Sequence, residues 1–340
     1  MSLLWTDVID PATLTGYVRE SLSAYEARKG TLAVWLPNRE VADVEVRFRI
    51  GSTGLIPEAK FRAYDAEPEI GTAPSGKRVT LELPAIGQNI PVSEYTQLRL
   101  RNASDDTILN SILATTNRVV IAVADRMERL RGTVLETGKA TIVQDNFNTE
   151  DDFGRSATHT VTAASLWLVS TVDRLADLQT WHDVYVASNG VPPGALAMTT
   201  RVYRALAAGD QFQVQLINGG ARTPTFADVQ QIVQGAGLPP ITLYDRRTSA
   251  GTVLSTSKLL MLPAPVSTDD WEGTELGASF WGQTLTSMDP AWGIEDSEQP
   301  GIVAGVYRNP KPPMIAEVIS DAIGEPVLAN ADLSLTATVL

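Results

Sequence analysis

The chain has 340 residues, of which 44% are hydrophobic and 20% charged, with no cysteine and 40 acidic against 27 basic side chains for a formal charge of −13. That length and apolar content allow two or three domains around a sizeable core. The missing cysteine excludes disulfides, thiolate metal sites and cysteine nucleophiles, and the acidity weighs against a nucleic-acid binder, whose affinity comes from Lys and Arg on phosphates.

Met1 to Val8 has no basic region followed by an apolar run, so no signal peptide is expected, and no stretch approaches the roughly 18 apolar residues of a membrane span. Residues 1–40 read as an arm. Asp10-Pro11-Ala12 opens a helix with Leu14, Tyr17, Val18, Leu22 and Tyr25 at helical spacing, Gly30 can end it, and Pro37-Asn38-Arg39 is a turn. The segment has too little apolar surface for a core of its own and is expected to lie on something else.

Val44, Val46, Phe48 and Ile50 then alternate with Glu45, Arg47 and Arg49, the period of a half-buried strand. After a glycine- and proline-punctuated excursion, Gly51 to Gly76, a second alternating run sets Val79, Leu81 and Leu83 against Arg78, Thr80 and Glu82. The two runs predict an extended hairpin. Arg39, Arg47, Arg49, Lys60, Arg62, Lys77 and Arg78 concentrate in this part of an otherwise acidic chain. A two-stranded ribbon is marginal alone in water, so docking on a neighbouring molecule is one reading and a solvated loop with scattered charges is the other.

From about Asn102 to Thr137, Leu109, Ile112, Leu113, Val119, Val120, Val123, Met127, Leu130 and Val134 place one apolar stripe on a long helix. Ser104 is the expected cap and Gly138 the expected stop, with Gly132 weakening the last turns. Ala140 to Val143 predicts a strand. Asp145 to Phe153 reads as a polar loop whose Glu150, Asp151 and Asp152 lack the glycine and terminal glutamate of a calcium loop, so no metal is expected there. His159, Val161 and Ala163 continue as a strand.

Residues from about 170 to 265 mix helices and strands, which predicts a compact α/β region. One helix runs through Val172, Leu175, Leu178, Trp181 and Tyr185 to Asn189-Gly190, a second covers Met198 to Ala208, and a third is capped by Thr225. Ile241 to Tyr244 and Lys258 to Leu262 are short apolar strands. Phe280, Trp281 and Trp292 follow, and Leu333, Leu335, Ala337 and Val339 form a closing strand. That strand is expected to pair with the strands after the long helix, making the α/β region an insertion.

His159 and His182 are the only histidines, and neither lies at a catalytic spacing from a carboxylate. Phosphate loops, dinucleotide fingerprints, nucleophile elbows and paired-histidine zinc motifs are missing from the sequence. No catalytic residue, cofactor or metal is predicted. A carboxylate site needs no signature, so an acidic cytoplasmic α/β enzyme stands as the alternative to a structural protein.

Two sets of residues carry a resemblance. One is Ala63-Tyr64-Asp65-Ala66-Glu67-Pro68, Gly76-Lys77-Arg78-Val79 and Glu82-Leu83-Pro84-Ala85-Ile86. The other is Tyr307-Arg308-Asn309-Pro310, Pro326-Val327-Leu328 and Asn330 to Leu340. With the order of elements, they resemble the lambda-type major capsid proteins of tailed bacteriophages, the capsid protein E family. Residues from about 170 to 265 carry the least of it. The resemblance implies an α+β tailed-phage major capsid fold: an N-terminal arm (1–40) resting on neighbours, an extended loop hairpin (41–90), a peripheral domain (91–168 and 301–340) with a spine helix at about 104–136, and an axial domain (169–300). It implies no catalysis and no cofactor, but self-assembly into an icosahedral head shell around double-stranded DNA.

The implied partners are other copies in hexamers and pentamers, the portal protein, and scaffold and decoration proteins, with packaged DNA touched only weakly and without sequence preference and no membrane involved. The implied location is the virion, and the host cytoplasm before assembly. Arg47, Arg49, Lys60, Arg62, Lys77 and Arg78 become candidate contacts to Glu150, Asp151 and Asp152 of the next subunit. Lys60 and Lys77 also sit where some capsids supply a lysine–asparagine cross-link. Another phage structural protein, such as a tail-tube or decoration component, is a further alternative, against which the long helix argues.

Overall fold

The computed structural model describes residues 3–6, 9–50, 77–100, 105–144, 147–215 and 221–340. The chain opens with strand β1 (Leu3–Leu4) and helix α1 (Pro11–Lys29). Asp10 caps α1 by accepting the Thr13 N–H at 2.8 Å, and Pro11 occupies the first turn, where its missing N–H removes no bond. Gly30 ends the helix at φ 79°, in backbone that other residues resist. Strands β2 (Asn38–Glu40), β3 (Glu45–Ile50), β4 (Lys77–Glu82) and β5 (Ala85–Val92) follow, then the short helix α2 (Glu94–Leu100). The long helix is α3 (Asp105–Thr137), 33 residues ending at Gly138 with φ 73°, as the sequence predicted; Ser104 lies outside the described residues.

Next come β6 (Lys139–Gln144), β7 (Phe147–Asp152), β8 (Thr160–Thr162), α4 (Arg174–Asn189), β9 (Ala195–Met198) and α5 (Thr200–Ala207). The short pairs β10 (Val214–Gln215) with β11 (Ala221–Arg222) and β13 (Arg247–Thr248) with β14 (Gly251–Thr252) flank α6 (Phe226–Gly235) and β12 (Ile241–Leu243). The chain finishes with β15 (Lys258–Leu262), β16 (Gly277–Gly282), α7 (Leu285–Met288), β17 (Val303–Arg308), β18 (Ala316–Leu328) and β19 (Leu335–Thr338). Among the described residues no helix is long and apolar enough to cross a membrane.

Two compact units divide the chain. The first comprises Met1–Val46, Thr80–Arg131 and Ala278–Pro326, the second Arg47–Val79, Gly132–Gly277 and Val327–Leu340. In the first, a sheet runs in the order β1-β17-β18-β16-β2, with β5 also antiparallel to β18. Val119, Val120, Val123 and Met127 of α3 meet Leu14 and Val18 of α1 and Val306 and Val318 of the sheet, all nearly inaccessible to water. Residues 1–40, read as an arm resting on neighbours, are therefore built into their own unit: α1 lies in its core, β1 and β2 extend its sheet, and Leu32, Ala33 and Leu36 are wholly buried. The short apolar segment is too small for a core alone but large enough to complete one.

A buried polar network crosses this unit. Glu128, wholly buried, accepts the Leu32 N–H at 2.6 Å, the Thr31 hydroxyl at 3.0 Å and the Arg131 guanidinium at 3.0 Å. Arg131 also donates to Ser279 Oγ at 2.8 Å and Asn38 Oδ1 at 2.6 Å, and Asn38 Oδ1 accepts the Trp281 indole N–H at 2.9 Å.

In the second unit a sheet runs β12-β9-β15-β19-β8. The closing strand β19 pairs with β8, as expected, but its other neighbour is β15 of the α/β region. It therefore sits inside the sheet of that region instead of closing a sheet outside it. The residues expected to form a loop at 145–153 form β7, paired with β6 from Lys139↔Asp152 to Gln144↔Phe147. Alternation explains it: Thr149 and Asp151 turn partly inward while Asn148, Glu150 and Asp152 face water. Gly132 has a packing reason, since a Cβ there would lie 2.6 Å from the Val253 carbonyl oxygen.

Arg155 caps the C-terminal turn of α3, donating to the Leu135 and Glu136 carbonyls at 2.9 and 2.7 Å and to the Ser334 and Thr336 hydroxyls. Burial pulls its pKa down to about 10. Asp332 accepts the Ser156 N–H at 2.7 Å and lies 3.9 Å from Nδ1 of the wholly buried His159. Burial holds the His159 imidazole below its ordinary pKa, against the pull of Asp332.

Glu128→Ala removes the nearest carboxylate of the buried Arg131, leaving Glu26 at 3.9 Å as its remaining counter-charge, and should lower unfolding stability by about 3 kcal/mol, read from urea titration; a loss within about 0.5 kcal/mol would remove the network from any structural role. The folded state resists protonating His159, so the stability it contributes is complete above about pH 6.5 and is lost as the pH falls below that value. His159→Gln should flatten the decline in melting temperature between pH 7 and 5, and an unchanged slope would refute this.

Candidate subunit interface

The two strands predicted for the hairpin are present: β3 and β4 form a two-stranded sheet of their own, and residues 51–76 between them lie outside the described residues. Its base is fixed in the first unit, where Val46, Leu81 and Leu83 are buried and the Leu83 N–H donates to the Val44 carbonyl at 2.9 Å. Arg47 lies on β3 and is exposed. Arg49 belongs to the same strand, and Lys77 and Arg78 open β4, so the ribbon gathers these four basic positions. Lys60, Arg62 and the motif at 63–68 lie outside the described residues. Arg39 is not on the ribbon; its guanidinium stands 5.2 Å over the Phe280 ring.

The acidic group sits on a second hairpin, β6–β7. Opposed residues of an antiparallel pair share a face, and the register puts Lys139, Thr141 and Val143 on the same face as Asp152, Glu150 and Asn148. Lys139 Nζ holds Glu150 Oε1 at 2.9 Å and Asp152 Oδ2 at 3.0 Å. These bonds raise the Lys139 pKa. The Asp152 carboxyl is held below its ordinary value, first by the Gly154 N–H and then by Lys139. Asp151 lies on the other face, and partial burial pushes its carboxyl up. Glu150, Asp151 and Asp152 are thus adjacent in sequence but divided between two faces, and two of them already have an internal cation.

Sequence reasoning missed Lys139, which lies eleven residues before Glu150 and meets it only once β6 and β7 pair. It also missed exposed apolar groups beside the expected charges: Val143 (74% exposed) and Phe147 near the end of β6–β7, and Tyr95 and Leu98 on α2. Among the described residues no cluster of His, Asp and Glu could hold a metal ion. The arrangement offers exposed ribbons with charge and apolar side chains, which suits contact with other chains.

A family model described as phage major capsid protein E matches residues 31–256, most of the chain. The chain belongs to this family. It is a capsid protein of the lambda E type, a shell-forming component of the virion, and the enzyme alternative falls away because family and fold are structural. The match takes in the hairpin, the long helix and most of the region from 170 to 265, which carried the least resemblance; the quoted tail from Tyr307 onward lies beyond it.

Solved structures agree on the fold. A crystal structure described as the capsid protein of a prophage of E. coli CFT073 superposes with TM-score 0.62 at 15% identity, covering 100% of both chains. A phage-related protein of Bordetella bronchiseptica RB50 does so with TM-score 0.57 at 14% identity, covering 96% of each. The α+β fold is therefore that of tailed-phage capsid proteins. No curated protein sequence matches the chain significantly.

Because the Gly154 N–H ranks ahead of Lys139 in holding Asp152, Lys139→Gln should move the Asp152 titration upward yet leave it below the ordinary carboxylate value. Side-chain NMR across acidic pH reads this directly, and a complete return to the ordinary value would overturn the ranking.

Proposed function

We propose that this capsid protein builds the icosahedral head of a tailed phage as hexamers and pentamers, with the β3–β4 hairpin reaching over an adjacent copy. The observation that carries the reading is the ribbon itself. Among the described residues β3 and β4 pair only with each other, and a two-stranded ribbon gains its stability from what it lies on. It carries Arg47, Arg49, Lys77 and Arg78 on a chain of net charge −13, so its natural seat is an acidic surface of another copy. Such a contact joins unlike patches, and repeated heterologous contacts close into rings.

The acidic side of the contact needs revision from the sequence reading. Glu150 and Asp152 face water but share Lys139, so the triad carries one net negative charge on that face instead of two. An arriving arginine joins an existing ion cluster and does not meet bare carboxylates. Lys60 and Arg62, outside the described residues, are further candidates for the same contact. The remaining roles follow the family: docking on a portal protein, help from scaffold and decoration proteins, a wall that touches packaged double-stranded DNA weakly, and residence in the host cytoplasm before assembly.

The test is charge reversal. Arg47→Glu combined with Arg49→Glu should abolish shells seen by light scattering and electron microscopy, while circular dichroism and melting temperature stay as in the unaltered chain. Shells of normal yield from the double variant would rule out the hairpin as an electrostatic contact. Assembly of the unaltered chain should also weaken as salt rises, because exposed charges more than about 8–10 Å apart are screened at ordinary ionic strength.

A further inference from the structure

The loop Ala163–Val172, between β8 and α4, is built differently from an ordinary connection. Leu168 is 72% and Val169 57% exposed, with Leu166 beside them at 38%. Scattered exposed apolar residues are normal, but these are consecutive neighbours of a side chain anchored from below. Trp167 is buried and stacks on Trp181 with ring centroids 6.1 Å apart. Its indole N–H donates to Asp177 Oδ2 at 2.9 Å and its backbone N–H to the Val339 carbonyl at 2.8 Å.

The buried Arg174 grips the same loop. Its Nη2 donates to the carbonyls of Trp167 at 3.3 Å and Val169 at 2.8 Å, and its Nη1 to those of Leu206 at 3.3 Å and Ala205. Asp210 donates its N–H to the Ser170 carbonyl at 3.1 Å. The loop is therefore held at both flanks, and its apolar side chains are turned outward from a fixed base.

We propose that Leu166, Leu168 and Val169 form a preorganised knob that docks on a second copy of this chain in the shell. Charge identifies the occupant. Copies of a chain with net charge −13 repel one another, so close self-contact is favoured where a surface has no charge of its own. Thr160 to Val172 contains no Asp, Glu, Lys or Arg. Of the flanking acids, Asp177 is turned to the Trp167 indole, while Asp173 and Asp210 stay exposed at the margin of the knob, accepting the Ala176 N–H and the Gln213 amide. A rigid base also reduces the entropy lost on docking. The shell-forming role of the family supplies the copies, and the knob is a contact distinct from the basic hairpin.

Two measurements test it. The photo-crosslinking residue p-benzoylphenylalanine, placed at Leu168, should give on irradiation of assembled shells an adduct of twice the chain mass, mapped to a second copy. An adduct to a different protein, or none, overturns the proposal. Leu168→Asp with Val169→Asp should cut shell yield by about tenfold or more with unchanged circular dichroism and melting temperature; shells at the unaltered yield overturn it equally. Because the crosslinker keeps a bulky apolar group on an exposed position, that arm stays decisive even where the charged variant folds poorly.

Discussion

The first unit depends on one buried pair of opposite charges. Glu128 and Arg131 stand one turn apart on α3, with 0% and 2% of their side chains exposed. Two ions removed from water are tolerable only when every remaining donor and acceptor is met, and here the partners come from distant parts of the chain: Thr31, Leu32, Asn38 and Ser279. The pair thereby fixes where the 30–40 segment and β16 sit on the helix. The network adds directional partners to the apolar packing of Val119, Val120, Val123 and Met127, so both hold α3 in one register.

The helices were legible because their signals are local. Asp10-Pro11, Thr225 and Gly138 act on backbone groups within four residues, and all three work as read. The limits of local reading show in β9. Ala195–Met198 is buried at every position, so it has no alternation to betray a strand, and Met198 was taken as the start of a helix that begins at Thr200. β7 failed for the opposite reason: its run of acids resembles a solvated loop, and only the cross-strand Lys139 makes it tolerable in a ribbon.

The candidate interface was legible in its charges and not in its geometry. Alternation about the buried Val46 placed Arg47 on the exposed side of a ribbon, although Val44, read as part of the same inward row, lies before β3 and is itself 38% exposed. Nothing local revealed that Glu150 and Asp152 face one way and Asp151 the other, or that Trp167 anchors a loop through Asp177 and Val339. Those facts belong to pairing between segments separated by ten to more than a hundred residues, where one sequence carries no periodic trace.

The position of β19 has a consequence for how a subunit matures. Its neighbours β15 and β8 lie on either side of it, about 75 and 175 residues earlier in the chain. Until residues 335–338 slide between them, both strands present an open edge, the feature by which one polypeptide templates strands onto another. A subunit caught before that step is adhesive in the wrong direction, able to accept another molecule's strand in place of its own. Seating β19 covers the free side of β15 and one side of β8, so among the described residues the finished sheet is left with only β12 and the outer side of β8 as edges.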